Sequence, residues 1–229
     1  MTLHARLTVL AVLAAFAGAA GAQSAKWDGF YLGAQGGSAW AKSTWNTSAF
    51  LLTSTDEHIE NKARDWALGA QLGYWHRVGS PWLLGAELSA LKTELTGDSG
   101  SPLPGVSNRL RRSTVRDPWV LWGQVGYSAE RWLGYGKFGY ARAKVDLQAD
   151  NQNPGGITMS WTGGKASGAA LGAGVAYSLA QHLAVGIDYE YVKLKMGDVS
   201  GFNSGGFYVK ATEFQSTINL LLLRLNYTF

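Results

Sequence analysis

Apolar and polar residues alternate along eight stretches of this chain with the period of two that a β-strand imposes. The last stretch is the clearest. Counting back from Phe229, Tyr227, Leu225, Leu223 and Leu221 share one face, while Thr228, Asn226, Arg224, Leu222 and Leu220 share the other. The eight stretches fall at about 29–40, 64–76, 82–95, 117–128, 132–147, 165–177, 183–196 and 213–229. In the first, Phe30, Leu32, Ala34 and Trp40 oppose Gly33, Gln35 and Gly37. In the second, Trp66, Leu68, Ala70, Leu72 and Tyr74 oppose Asp65, Gly69, Gln71 and Gly73. Lys137 sets the phase of the fifth, because a lysine facing mid-membrane hydrocarbon costs ~2–4 kcal/mol. Trp132, Phe138 and Tyr140 therefore face out, and Lys137 faces in.

The connectors alternate short and long. Links at about 77–81, 128–131 and 178–182 are short, and those at 41–63, 96–116, 148–164 and 197–212 are long. Short turns at one end and longer loops at the other are the outer-membrane barrel pattern. Aromatics gather at both ends of the strands: Trp27, Tyr74, Trp75, Trp82, Tyr127, Trp132, Tyr177 and Phe229 at the short-turn end, Trp40, Trp66, Trp119 and Tyr191 at the other. The predicted fold is all-β: an eight-stranded antiparallel up-and-down transmembrane β-barrel. The rival is a soluble barrel with the faces swapped, the greasy set lining a cavity. Its water-facing surface would carry more Lys and Glu than the Gly- and Gln-rich parity supplies.

The N-terminus adds a compartment. Arg6 precedes an apolar run over 7–20, and Ala20-Gly21-Ala22 ends it, the three parts of a secretory signal peptide. That run is shorter than the ~20 apolar residues a spanning helix needs. Cleavage after Ala22 is expected, leaving residues 23–229 as one barrel domain exported to the outer membrane. There are no cysteines, so no disulfide and no thiolate metal site forms. The net charge of +4 falls to +3 when Arg6 leaves, too mild an excess to point to nucleic acid. Thirty glycines are suited to a narrow barrel interior.

Three motifs carry a family resemblance. Trp27-Asp28-Gly29-Phe30-Tyr31-Leu32-Gly33 resembles the W-x-G-F-Y-x-G opening of the small outer-membrane protein β-barrels. These include the major surface antigens of alphaproteobacteria and, more distantly, the barrels of OmpA and OmpX. Asp188-Tyr189-Glu190-Tyr191 resembles their E-Y-x-Y strand, with Asp in place of Glu. Leu225-Asn226-Tyr227-Thr228-Phe229 resembles their terminal strand, so the resemblance implies that Tyr227 and Phe229 act as a signal to the barrel-assembly machinery. It also implies haemin binding or adhesion as roles of some members, with His58, Trp45 and Trp161 as the ligand candidates here. The chain closes at that Phe, and no cell-wall tether is expected.

Two charged groups are candidate sites. The inward set of Glu87, Lys137, Asp188, Glu190 and Arg224, with Gln35, Gln71 and Gln124, reads as a lumen charge network, because the bore of an eight-stranded barrel is filled by its own side chains. The alternative is a narrow porin-like ion path gated by those pairs. Arg109, Arg111, Arg112 and Arg116 fall in the second long connector and suit lipopolysaccharide phosphates or another polyanion. No catalytic constellation is found. His58, near Ser54 and Asp56, is the sole candidate for lipid A modification at the outer rim, and His76 and His182 lie near the short turns. No cofactor or metal is expected. The expected protein is a non-enzymatic outer-membrane barrel for envelope integrity, surface display or a ligand or host interaction through its long ends, its surroundings being outer-membrane lipid and lipopolysaccharide.

Overall fold

The computed structural model describes residues 26–49, 57–100, 109–151, 158–202, 204 and 208–229. The expected signal segment lies outside them. Ten strands follow in chain order: β1 (Gly29–Ala49), β2 (Glu57–Gly79), β3 (Trp82–Lys92), β4 (Glu94–Gly100), β5 (Arg109–Ala129), β6 (Trp132–Asn151), β7 (Thr158–Ala180), β8 (Leu183–Lys195), β9 (Val199–Phe202) and β10 (Tyr208–Thr228). β3 and β4 both pair with β5, and β8 and β9 both pair with β10. Each pair is one stave with a break, so the wall has eight staves. All pairings are antiparallel, and β1 against β10, from Tyr31 opposite Thr228 to Ala49 opposite Val209, closes the ring.

The expected faces are the observed ones. Phe30, Leu32, Leu68, Leu72, Leu84, Leu88, Leu121, Phe138, Leu171, Ile187, Leu221 and Leu223 are exposed on the outer wall, whereas Gln35, Gln71, Glu87, Gln124, Lys137, Asp188, Glu190 and Arg224 are buried in the lumen. A water-soluble barrel needs the reverse. The exposed apolar wall therefore requires lipid around it.

The strands run further than the pattern predicted. Most of what read as long connectors is paired strand: β1 continues to Ala49, β2 starts at Glu57, and β5 starts at Arg109. The cause is a change of phase. On β6 the apolar positions Phe138 and Tyr140 face out, but beyond them Ala141, Ala143, Val145 and Leu147 are buried while Arg142 and Lys144 face out. On β8, Ile187, Tyr189 and Tyr191 face out, then Val192, Leu194 and Met196 turn in. Below the switch the wall is solvated by hydrocarbon; above it the wall is solvated by water. The apolar parity flips at that level, and a window spanning the flip loses its alternation.

The aromatic girdles need one correction. Trp27 and Trp75, expected at the lipid interface, are buried in the lumen with Tyr31, Leu83, Leu133 and Tyr135. Their parity is the inward one, shared with Gln71 in β2. Other girdle rings pair on the outer wall, with centroids 5.2 Å apart for Trp82 and Tyr127, 4.8 Å for Trp132 and Tyr177 and 6.3 Å for Trp119 and Tyr140.

A charge on the greasy face tests this orientation. Leu223→Arg is expected to lower barrel stability in bilayers by ~2–4 kcal/mol, read from urea unfolding followed by tryptophan fluorescence.

Candidate functional site

The lumen has three levels. Above the membrane lies an apolar core that includes Trp45, Ile59, Leu95, Val115, Leu147, Leu194 and Phe214. At the turn end sits the aromatic cluster around Trp27 and Trp75. Between them the five predicted charged residues meet. Lys137 Nζ lies 2.5 Å from Asp188 Oδ2, 2.6 Å from Glu190 Oε1 and 3.7 Å from Glu87 Oε1. Arg224 Nη1 donates to Asp188 Oδ2 at 2.7 Å, and its Nη2 donates to Glu87 Oε2. Three carboxylates thus surround two cations, all buried in the barrel wall's bore.

Sequence reading missed the neutral members. Tyr31 donates to Glu87 Oε2 at 2.5 Å and accepts from Gln124 Nε2 at 3.0 Å. Tyr135 donates to Asp188 Oδ1, and the Trp122 ring lies 4.7 Å from Lys137 Nζ. Room for these side chains comes from glycine. Tyr31 is directly opposite Gly73, and Tyr135 directly opposite Gly174. A Cβ on Gly73 would collide with the Tyr31 ring, and one on Gly174 with both Asp188 and Tyr135. An inward aromatic facing a cross-strand glycine was the available signal, but it needs the register, which periodicity alone does not give.

Burying one ion costs several kcal/mol, and only close, well-hydrogen-bonded partners offset that cost. The cluster meets the condition by sharing. Each cation touches at least two carboxylates, and each tyrosine hydroxyl donates to one. Glu87 Oε1, Glu190 Oε2 and Arg224 Nε are left without a hydrogen-bond partner among the described residues. Below the cluster a cavity of about 20 Å³ remains, lined by Trp27, Tyr31, Trp75, Gln124, Tyr135 and Arg224. That is room for about one water molecule, not for a file of them.

The arginine group is arranged differently from the expected loop. Arg109, Arg111, Arg112 and Arg116 all belong to β5. Arg111 is buried, whereas Arg112 is clamped by Asp98 through bonds of 2.7 and 3.0 Å and Arg116 is paired with Asp146. The side chain of Arg109 lies outside the described residues. The Arg112 hydrogen bonds hold the Asp98 carboxyl below the usual carboxylate range. The described members are split between two faces, with Arg112 and Arg116 committed to carboxylates.

The remaining candidates are dispersed. His58 is exposed on β2, its Nδ1 2.9 Å from Asn46 Oδ1, and Ser54 and Asp56 lie outside the described residues. His76 stacks on Tyr74 and His182 on Tyr227. Trp45, expected as a loop ligand, is buried on β1 with its ring 6.4 Å from that of Trp161. Tyr227 and Phe229 are exposed on the outer wall beside the closing seam, where the Phe229 N–H donates to the Phe30 carbonyl at 2.9 Å.

A closed antiparallel ring with an apolar outer wall and a filled polar waist defines an integral outer-membrane β-barrel. Residues 8–220 match the outer membrane protein beta-barrel domain, and the chain belongs to that family. It is similar to the 31 kDa outer-membrane immunogenic proteins of Brucella melitensis biotype 1 and Brucella suis biovar 1, each 25% identical over 174 residues, 73% of this chain and 71% of the relative. Among solved structures it shares its fold with the outer membrane protein OprG from Pseudomonas aeruginosa. The TM-score is 0.54 at 19% identity, over 90% of this chain and 98% of that one. Its location is the outer membrane.

The charge cluster makes a sharp prediction. Arg224→Ala leaves Glu87 and Asp188 short of a buried partner and is expected to destabilise the barrel by ~3–5 kcal/mol. Unfolding free energy in detergent checks it, and Arg224→Lys is expected to recover part of the loss.

Proposed function

We propose that this protein is a non-conducting, non-enzymatic barrel that displays a rigid β-structured surface outside the cell, after export on a signal peptide cleaved at Ala22. The observation that carries this reading is the filled lumen. Among the described residues, apolar core, charge cluster and aromatic cluster follow one another along the lumen and fill it with side chains. A solute would have to displace Lys137 or Arg224 from at least two carboxylates at once. That displacement is the step a narrow porin would require, and it weighs against the alternative.

Display follows from strand length. β1 carries nine residues beyond Trp40, and β6 carries the sequence from Ala141 to Asn151 beyond Tyr140. These extensions bury Trp45, Val145 and Leu147 inside and turn charge outward, as a water-soluble domain does. The immunogenic relatives support exposure of that part. Enzymatic lipid A modification has little support, since among the described residues His58 contacts Asn46 and no carboxylate or serine.

Planar-bilayer recording tests the reading directly. The purified protein is expected to insert without discrete conductance steps, and a lipid A deacylation assay is expected to release no fatty acid. Reproducible single-channel steps would return the porin.

A further inference from the structure

Cations line much of the barrel's outer wall just beyond the outer girdle. Along the outward face, Trp40 leads to Lys42, Tyr140 to Arg142 and Lys144, and Tyr191 to Lys193 and Lys195, all of them exposed. The register sets them at neighbouring heights. Lys42 is opposite Lys62, Lys144 opposite Lys165, and Ser167 lies between Arg142 on one side and Lys195 on the other.

The band is neutralised unevenly: of its cations on β1, β2 and β3, Lys42, Lys62 and Lys92 meet a carboxylate, whereas the exposed Arg64, opposite Trp40, has none at ion-pair distance among the described residues. Lys42 and Lys62, directly opposite each other, share Glu60 at 2.8 and 3.7 Å. Around β3 and β5, Asp117 lies 3.0 Å from Lys92 and 3.5 Å from Lys144. It sits at a register break with φ of 48°, a left-handed conformation that Asp tolerates and that aims its carboxylate between those lysines. On β6, β7 and β8, Arg142, Lys165, Lys193 and Lys195 have no carboxylate at ion-pair distance among the described residues. Lys144 and Lys165 are a like-charge cross-strand pair, a destabilising arrangement that Asp117 offsets at Lys144 but not at Lys165.

Position names the anion. The interfacial aromatics mark the headgroup level, and a residue two further along a strand stands about 7 Å beyond it. The cations therefore face the phosphates of the outer leaflet, not the open medium. Below them the wall is apolar: Ala169 lies opposite both Tyr140 and Lys193, and beyond the exposed Leu171 on the same face of β7, Ala173 lies between Gly136 and Tyr189. We infer that the outward face of β6, β7 and β8, carrying Arg142, Lys144, Lys165, Lys193 and Lys195, is a binding site for a phosphorylated outer-leaflet lipid. The guanidinium and ammonium groups take the phosphates, and the apolar face of β7 around Ala169, Leu171 and Ala173 takes an acyl chain.

The test is native mass spectrometry of the detergent-folded protein titrated with diphosphoryl lipid A, with dephosphorylated lipid A and with inorganic phosphate as competitor. Wild type is expected to bind the diphosphoryl form at least about tenfold more tightly than the dephosphorylated one. The R142Q/K165Q/K193Q/K195Q variant is expected to lose about tenfold or more, and the K42Q/K62Q variant, whose lysines share Glu60, less than about twofold. Millimolar inorganic phosphate is expected not to displace the lipid. Equal binding by wild type and the quadruple variant, indifference to the phosphates, or displacement by inorganic phosphate would each overturn the site. Should the quadruple variant fail to fold, K165Q and K193Q singly are expected to weaken binding about threefold each, and wild-type affinity in both would overturn it equally.

Discussion

Five charged side chains cross the waist of this barrel buried from bulk solvent, so they must solvate one another. That requirement organises the lumen. Lys137 and Arg224 can be buried because Asp188 serves both, while Glu87 and Glu190 complete their shells. The tyrosines supply the remaining donors, and the tyrosines fit because glycines stand opposite them. Glycine weakens a strand considered alone. In a bore this narrow its missing side chain is what admits the larger ones.

Above the waist the solvent outside the wall changes, and the interior changes with it. The membrane half pairs an apolar exterior with a polar interior; the outer half pairs a charged exterior with an apolar interior. The same eight staves thus form two proteins stacked on one axis, a lipid-solvated barrel and a water-solvated one. Their junction carries the aromatic girdle and, just beyond it, the basic band. The outer half holds its shape through its own buried core, which suits a surface met by molecules outside the cell.

Much of this was legible in the residues. The parity of every membrane stave, the inward direction of Lys137 and the membership of the charge cluster follow from alternation and from the cost of a charge in hydrocarbon. Three features did not follow. The strand extensions were hidden because the apolar phase flips between Tyr140 and Ala141 and between Tyr191 and Val192, so a period-two reading averages to nothing there. Tyr31, Tyr135 and Trp122 were overlooked because their partners are set by cross-strand register. Trp27 and Trp75 were assigned to the girdle on residue type, although the parity of Trp75 with Gln71 places it inside. The arginines of β5 looked like one patch in sequence, but alternation sends Arg111 inward while Arg112 meets Asp98.

Because the chain has no cysteine, a single introduced thiol reports on one position alone. Ser89 faces the waist, buried, and accepts a hydrogen bond from Trp122 Nε1 at 3.0 Å. In Ser89→Cys protein reconstituted into vesicles, a charged, membrane-impermeant maleimide is expected to leave the thiol unmodified from either side until denaturant is added, while Glu130→Cys in the tight turn reacts at once. Modification of Cys at position 89 in the folded barrel would mean that water and ions reach the waist, and the sealed lumen would be wrong.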